Sequence, residues 1–278
     1  MTDPQNSAFH RFEKSGWENA AVEYDDAFAR ITSQSIAPLL DTVGAGSGVR
    51  LLDVACGPGY VAAAAAARGA EVLGIDFSAA MVAMARGRHP GIEFREDDAQ
   101  ALDLPDASFD AVAMNFGLLH LDQPERALAE AARVLKPGGR CAFTVWLAPP
   151  RNETFRIVLG AIERHGRMDV PLPAGPPFFR YSDAAVVQQS LALAGLADVR
   201  VAEVPQLWRF DRAAELFEAM LRGTVRTGAL LRAQAPEALE RIRAAITEGA
   251  AAFAVEEGIA IPMPAVLLSA RKTQSPAR

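Results

Sequence analysis

Apolar residues fall along the chain in two rhythms. Short, mainly apolar runs at 51–55, 71–76, 92–95, 109–114 and 140–146 read as buried strands. Between them apolar positions recur at helical spacing. Ile36, Leu39, Leu40 and Val43 stand at i, i+3, i+4 and i+7, which makes one buried helix face. Leu128, Ala131, Ala132 and Leu135 form a second stripe, on a helix opened by Asp122 and Pro124 and closed by Lys136-Pro137-Gly138-Gly139. The alanines at 62–67 favour helix and allow close approach to a sheet. Residues 17–30 also read as helix, and Ser78 is placed to cap a helix through Arg86. Strand and helix alternate through five strands, which predicts a parallel sheet covered on both faces.

Beyond Trp146 the rhythm loosens. Residues 149–180 are proline-rich, with a short helix expected at 154–164. Ser182 or Asp183 should cap a helix reaching Gly195, and 199–204 reads as a sixth strand. Two or three helices are expected from 206 to about 258, then a last strand at 265–271 and a tail at 272–278. The first ten or so residues are expected to be mobile. The connections at 147–181 and 206–260 are long for an α/β domain, and long connections form lids or binding walls. The division that follows is an N-terminal helical cap (1–45), a core (46–146), an insertion (147–181), a core continuation (182–205), a helical lid (206–260), and the last strand with its tail (261–278).

Composition narrows the class. Half of the 278 residues are apolar, enough for a sizeable core. A net charge of −6 gives no general basic footprint for nucleic acid. Cys56 and Cys141 lie in or beside predicted strands, the usage of a reduced intracellular protein. The N-terminus lacks a basic-then-apolar signal pattern, and no apolar run approaches the ~20 residues of a membrane span. A soluble cytoplasmic protein with neither nucleic acid nor membrane as partner is expected.

The chemistry concentrates at Cys56-Gly57-Pro58-Gly59, between the first strand and the alanine helix. Gly57 and Gly59 lack a Cβ, so the chain can turn tightly and a ligand can approach its N–H groups. The helix that follows aims its positive end at the same spot. Gly57-Pro58-Gly59-Tyr60-Val61-Ala62 satisfies G-x-G-x-x-A, and Asp76 ends the second strand, a pairing that suits a nicotinamide dinucleotide. Asp53 opposes that reading, because a carboxylate inside the first strand repels a pyrophosphate and favours an ammonium group. Asp98-Ala99 adds an acid where an exocyclic amine is read; Asp97 beside it is an alternative reader. A ligand with an α-amino acid end, a ribose and an adenine suits all three acids, and S-adenosylmethionine is such a ligand.

Five stretches then fall in register: 51–59, 72–78, 97–99, 109–121 and 133–139. Together they resemble the class I S-adenosylmethionine-dependent methyltransferases, in the small-molecule group of the ubiquinone and menaquinone C-methyltransferases. The resemblance covers roughly residues 45–146. It implies a Rossmann-like, doubly wound sheet of seven strands, mostly parallel with an antiparallel last strand, plus a helical lid. It also implies roles: Asp53, Gly57 and Gly59 at the methionine end, Asp76 on the ribose hydroxyls, Phe77 and Met81 against adenine, and Asp98 with Ala99 at the adenine amine. Asn115 is expected near the sulfonium, and Tyr24 closes the site from the N-terminal helix.

The implied activity is in-line methyl transfer to a small organic acceptor, by C- or O-methylation, with S-adenosylhomocysteine as product. A nicotinamide-dependent oxidoreductase and a non-catalytic cofactor binder on the same fold are the rivals. His120 is the candidate base if the acceptor is a phenol or activated carbon acid; a buried, satisfied histidine is the plainer reading. Asn115-Phe116-Gly117-Leu118 stands where amino-group methylating enzymes carry an Asn/Asp-Pro-Pro-aromatic motif. Neither HxxH nor CxxC occurs, so no metal is expected, and Cys56 reads as a packed residue. Trp208, Phe210, Phe217 and Met220 are candidates for an apolar acceptor pocket, although ordinary helix packing also explains their spacing. Arg222, Arg226 and Arg232 read as a solvated face or as partners for an acidic group.

Overall fold

The structure, a computed structural model, describes residues 7–273. Helix α1 (Ala8–Ala27) starts at Ser7, whose side chain caps the His10 N–H, so helix begins where a mobile segment was expected. The rest of that segment, 1–6, and the tail 274–278 lie outside the described residues. Two short helices follow, α2 (Ala29–Thr32) and α3 (Ile36–Val43), the latter burying the predicted stripe of Ile36, Leu39, Leu40 and Val43.

The predicted core elements then follow in order: β1 (Arg50–Val54), α4 (Tyr60–Ala67), β2 (Glu71–Asp76), α5 (Ala79–Arg88), β3 (Glu93–Glu96), β4 (Phe109–Asn115), α6 (Pro124–Val134) and β5 (Leu135–Trp146), the alternation breaking only between β3 and β4, which a loop joins. Ser78 caps α5 by accepting from the Met81 N–H. One boundary differs. Lys136-Pro137-Gly138-Gly139 is not a free turn: β5 begins at Leu135, and Leu135 pairs with Phe109 across a register shift. The Lys136 ammonium reaches Asp110 at 2.8 Å, which ties this irregular strand start to β4.

The second half adds α7 (Glu153–His165), α8 (Ala184–Leu193, capped by Asp183) and β6 (Leu196–Val204). The segment expected to be helical is mixed. Strand β7 (Leu207–Phe210) precedes α9 (Glu215–Gly223), α10 (Arg226–Arg232) and α11 (Pro236–Ala251), and β8 (Ala254–Val255) and β9 (Gly258–Pro262) follow. These three strands form a small antiparallel sheet in the order β7-β9-β8. Strand β10 (Ala265–Lys272) returns to the main sheet.

The main sheet has seven strands in the order β3-β2-β1-β4-β5-β10-β6. β1 to β5 pair in parallel, and β10 is antiparallel to both its neighbours. This is the Rossmann-like sheet with an antiparallel last strand. Chain order reverses between β1 and β4, and in open sheets of this kind ligands bind outside the carboxyl ends of the strands at that reversal. Among the described residues no helix is long and apolar enough to cross a membrane.

Candidate active site

A cavity opens at this reversal. The strand ends supply Asp53 and Ala55 (β1), Asp76 (β2), Asp98 and Ala99 (after β3), Asn115 and Phe116 (β4) and Trp146 (β5). Helix α1 lies across it with Trp17 and Tyr24. The backbone is strained where it meets this space. Ala55 and Phe116 have φ of 53° and 57°, a left-handed conformation costly for a residue with a side chain. Gly57 has φ of +53°, and a Cβ there would meet nothing within 4 Å. Gly59 differs from expectation in its surroundings: it is not among the cavity-lining residues, and a Cβ on it would stand 2.8 Å from Phe94 Cζ. It serves the turn and the packing of the turn on β3.

The three acids hold the local backbone and keep acceptor capacity for a ligand. Asp53 is fully buried; Oδ2 accepts from the Ala62 N–H at 2.9 Å, while Oδ1 has no partner. Burial pushes its carboxyl up to about 8. Asp76 Oδ2 accepts from the Gly57 N–H and Oδ1 from the Ser78 N–H, each at 2.9 Å. Burial raises Asp76 to about 6, against the opposing pull of those two N–H groups. Each of its oxygens retains a second lone pair.

At the other end Asp98 Oδ1 accepts from the Gln100 backbone N–H at 2.9 Å and its side-chain amide at 3.2 Å. Oδ2 of Asp98 is buried with no partner. Asp97 is occupied differently, taking the N–H of Asp98 at 2.8 Å and of Asp103 at 3.2 Å. Of the two neighbours Asp98 therefore carries the free buried oxygen. Phe77 and Met81 line the same end, and Phe77 meets His10 edge-on.

Helix α1 is fastened over the cavity at several points. Glu18 accepts from the Ala79 and Ala80 N–H groups at the start of α5, and Lys14 pairs with Glu96. Asp25 accepts from Tyr60, and Arg88 donates to both. Tyr24 faces the cavity, bonds Thr32 at 3.2 Å and is pushed up to about 12 by burial. His120 Nδ1 lies 3.0 Å from Glu13 Oε2, and the ring meets Trp17 edge-on at 4.8 Å. Glu13 and Trp17 are absent from the sequence-based site. Phe9, Glu13, Trp17, Ala20 and Tyr24 share one helix face at spacings of four, four, three and four, and an acid on an apolar stripe is the signal that marks Glu13.

Asn115 reaches the cavity wall with its polar atoms occupied. Oδ1 accepts from Ser35 at 2.8 Å and Thr144 at 2.6 Å, and Nδ2 donates to the Thr32 carbonyl at 3.0 Å. It ties β4 to β5 and to the helical segment before α3. The remaining wall is aromatic: Phe116 stacks on Trp146 at 3.9 Å, and Phe155 and Phe178 continue the surface. Trp208, Phe210, Phe217 and Met220 do not line it. Trp208 packs on Phe28 at 4.4 Å, and Phe217 and Met220 are buried core. The lid enters through the α9–α10 junction, Gly223 to Thr227. Arg226 is the one arginine or lysine lining the cavity among the described residues; its guanidinium lies over Phe9 and Phe178. Arg222 pairs with Glu218, and Arg232 donates to the Leu221 carbonyl. Cys56 is buried and held well above the usual thiol range by that burial, which opposes a nucleophilic thiolate.

Residues 52–143 match the family model described as a methyltransferase domain. This segment carries the sequence pattern of a methyltransferase domain. The demethylmenaquinone methyltransferase of Renibacterium salmoninarum is 46% identical over 120 residues, which is 43% of this chain and 50% of that protein. Its counterpart in Clavibacter sepedonicus is 38% identical over 153 residues, 54% of this chain and 58% of the relative. The chain thus spans about half the length of the curated relatives it matches. Among solved structures the [4+2]-cyclase SpnF superposes with a TM-score of 0.55 at 24% identity, covering 87% of this chain and 81% of that one. That likeness concerns the fold alone.

Proposed function

We propose that the chain is an S-adenosylmethionine-dependent methyltransferase acting on a small, flat acceptor of the quinol or phenol type. The observation that carries this reading is the pair of buried oxygens without partners, Asp53 Oδ1 and Asp98 Oδ2, in one cavity with Asp76. A buried acceptor left unpaired is costly, so each calls for a donor from outside the chain. A ligand with an ammonium group at one end, ribose hydroxyls in the middle and an exocyclic amine at the other answers all three. A dinucleotide pyrophosphate beside Asp53 does not.

Bound S-adenosylmethionine supplies an electrophilic methyl group on a cationic sulfur. The protein's part is placement. Asp53 takes the ammonium, Asp76 the ribose, and Asp98 with Ala99 the adenine edge, against Phe77 and Met81. Gly57 leaves room for close approach of the backbone. The Phe116–Trp146 stack and the 147–181 and 206–260 segments form the acceptor wall. Alignment supplies much of the rate, and exclusion of water by α1 and this wall protects the reactive group. The names of the curated relatives direct the acceptor toward quinols. The test is incubation with methyl-labelled cofactor and a panel of hydroquinones, phenols and carbon acids, read by mass spectrometry. Transfer of a single methyl to one class supports the reading. No transfer to any acceptor by a protein that binds the cofactor overturns it in favour of a non-catalytic binder.

A further inference from the structure

Glu13 has no solvent exposure, yet only one of its oxygens is used: Oε2 meets His120 Nδ1 at 3.0 Å and Oε1 has no partner. His120 ends the short 3-10 turn Leu118–His120 that follows β4, lines the cavity and is held between Trp17 and Phe178, with ring centroids 4.8 and 6.3 Å away. A carboxylate accepts, so Nδ1–H donates and Nε2 is left with a lone pair. No hydrogen bond from within the protein reaches Nε2 among the described residues. Two further charged groups are coupled to this pair: Asp76 at the end of β2, whose carboxyl His120 pulls down, and Arg226 on α10, whose guanidinium Glu13 pulls up.

We propose that His120 Nε2 is the proton acceptor for a hydroxyl on the methyl acceptor, with Glu13 as the positioning residue that fixes its tautomer. This deepens the methyltransferase reading and rests on it. The substrate class it selects is a flat aromatic or enolic molecule with a free hydroxyl, seated against the Phe116–Trp146 stack. The hydroxyl proton passes to Nε2 and the O–H bonding pair stays on oxygen, which makes the acceptor nucleophilic at oxygen or at the conjugated carbon. The imidazolium, neutralised in field by Glu13, then returns the proton to solvent.

The test uses the full chain saturated with S-adenosylhomocysteine and two probes, 1-naphthol and its methyl ether 1-methoxynaphthalene. Calorimetry on the wild type should show the naphthol bound at least ~10-fold more tightly than the ether. In His120→Phe and in Glu13→Gln the preference should fall to within ~3-fold. Nitrogen NMR of the imidazoles should show His120 protonated at Nδ1 in the wild type, and a mixed or reversed tautomer in Glu13→Gln. If Glu13→Gln fails to fold, His120→Phe and the wild-type tautomer carry the decision. Equal binding of the probes, binding of neither, a preference retained in His120→Phe, or an Nε2-protonated His120 overturns the proposal. If S-adenosylhomocysteine itself does not bind, the cofactor reading fails separately, and the probes titrated against the ligand-free chain still decide this one.

Discussion

The backbone N–H of Gly57 donates to Oδ2 of Asp76 at 2.9 Å, so the acid that ends β2 pins the turn that follows β1. One carboxylate thereby shapes the glycine turn and faces the same cavity with its remaining lone pairs. Asp76→Ala should weaken S-adenosylhomocysteine binding by ~1–3 kcal/mol and lower the melting temperature as well. Titration calorimetry and a thermal melt on the same sample measure the two effects; unchanged affinity removes Asp76 from the site.

Burial places Asp53 at about 8 and Asp76 at about 6, both above the ordinary carboxyl value. Between the unfolded and folded values the native state holds protons that the unfolded chain has lost. Stability from these groups is therefore fully present below about pH 4 and falls as pH rises to about 8, where the loss levels off. An ammonium group at Asp53 favours its ionised form, so binding S-adenosylhomocysteine near neutral pH should release close to one proton. Calorimetry in buffers of different ionisation enthalpy counts it, and zero release contradicts an ionised Asp53 facing the ligand.

Asp97 and Asp98 are neighbours with opposite occupancy. Asp98→Asn should lower affinity for S-adenosylhomocysteine about tenfold, because its unpartnered Oδ2 becomes a donor or turns away. Asp97→Asn should instead cost stability, since both oxygens hold backbone N–H groups. Equal effects of the two substitutions on affinity would contradict this assignment.

The two glycines of the turn should also separate. Gly57→Ala adds a methyl in open space at φ of +53° and should weaken ligand binding at least ~10-fold through the narrowed approach. Gly59→Ala drives a Cβ to 2.8 Å from Phe94 at φ of +87°. It should cost ~1–3 kcal/mol of stability and leave affinity within ~3-fold, as judged by urea melts and calorimetry.

The first half of the fold was legible because its strands are apolar runs separated by glycine, proline and capping residues. Ser78 and the alanine run mark their elements locally. The small sheet of β7, β8 and β9 was not, because strands of four, two and five residues give too short a pattern to register. Leu135 fits the α6 stripe by spacing yet belongs to β5, since pairing with Phe109 outweighs helical periodicity at that point. The three acids were legible because each marks the carboxyl end of a strand: Asp53 near the end of β1, Asp76 at the end of β2 and Asp98 just after β3. Glu13, Trp17 and Phe178 were hidden because they come from α1 and the 147–181 insertion, and only tertiary packing brings them to His120. Trp208 illustrates the reverse: an aromatic in a lid segment that packs inward on Phe28 rather than facing the cavity.

The central claim is that this cavity is built for an amino-acid-bearing adenosine and not for a dinucleotide. Titration of the full chain with S-adenosylhomocysteine, with NAD and NADP in parallel, tests it most directly. The account predicts saturable micromolar-range binding of S-adenosylhomocysteine and none of either dinucleotide. Binding of a nicotinamide dinucleotide alone, or of no ligand in the set, would contradict the assignment of Asp53, Asp76 and Asp98.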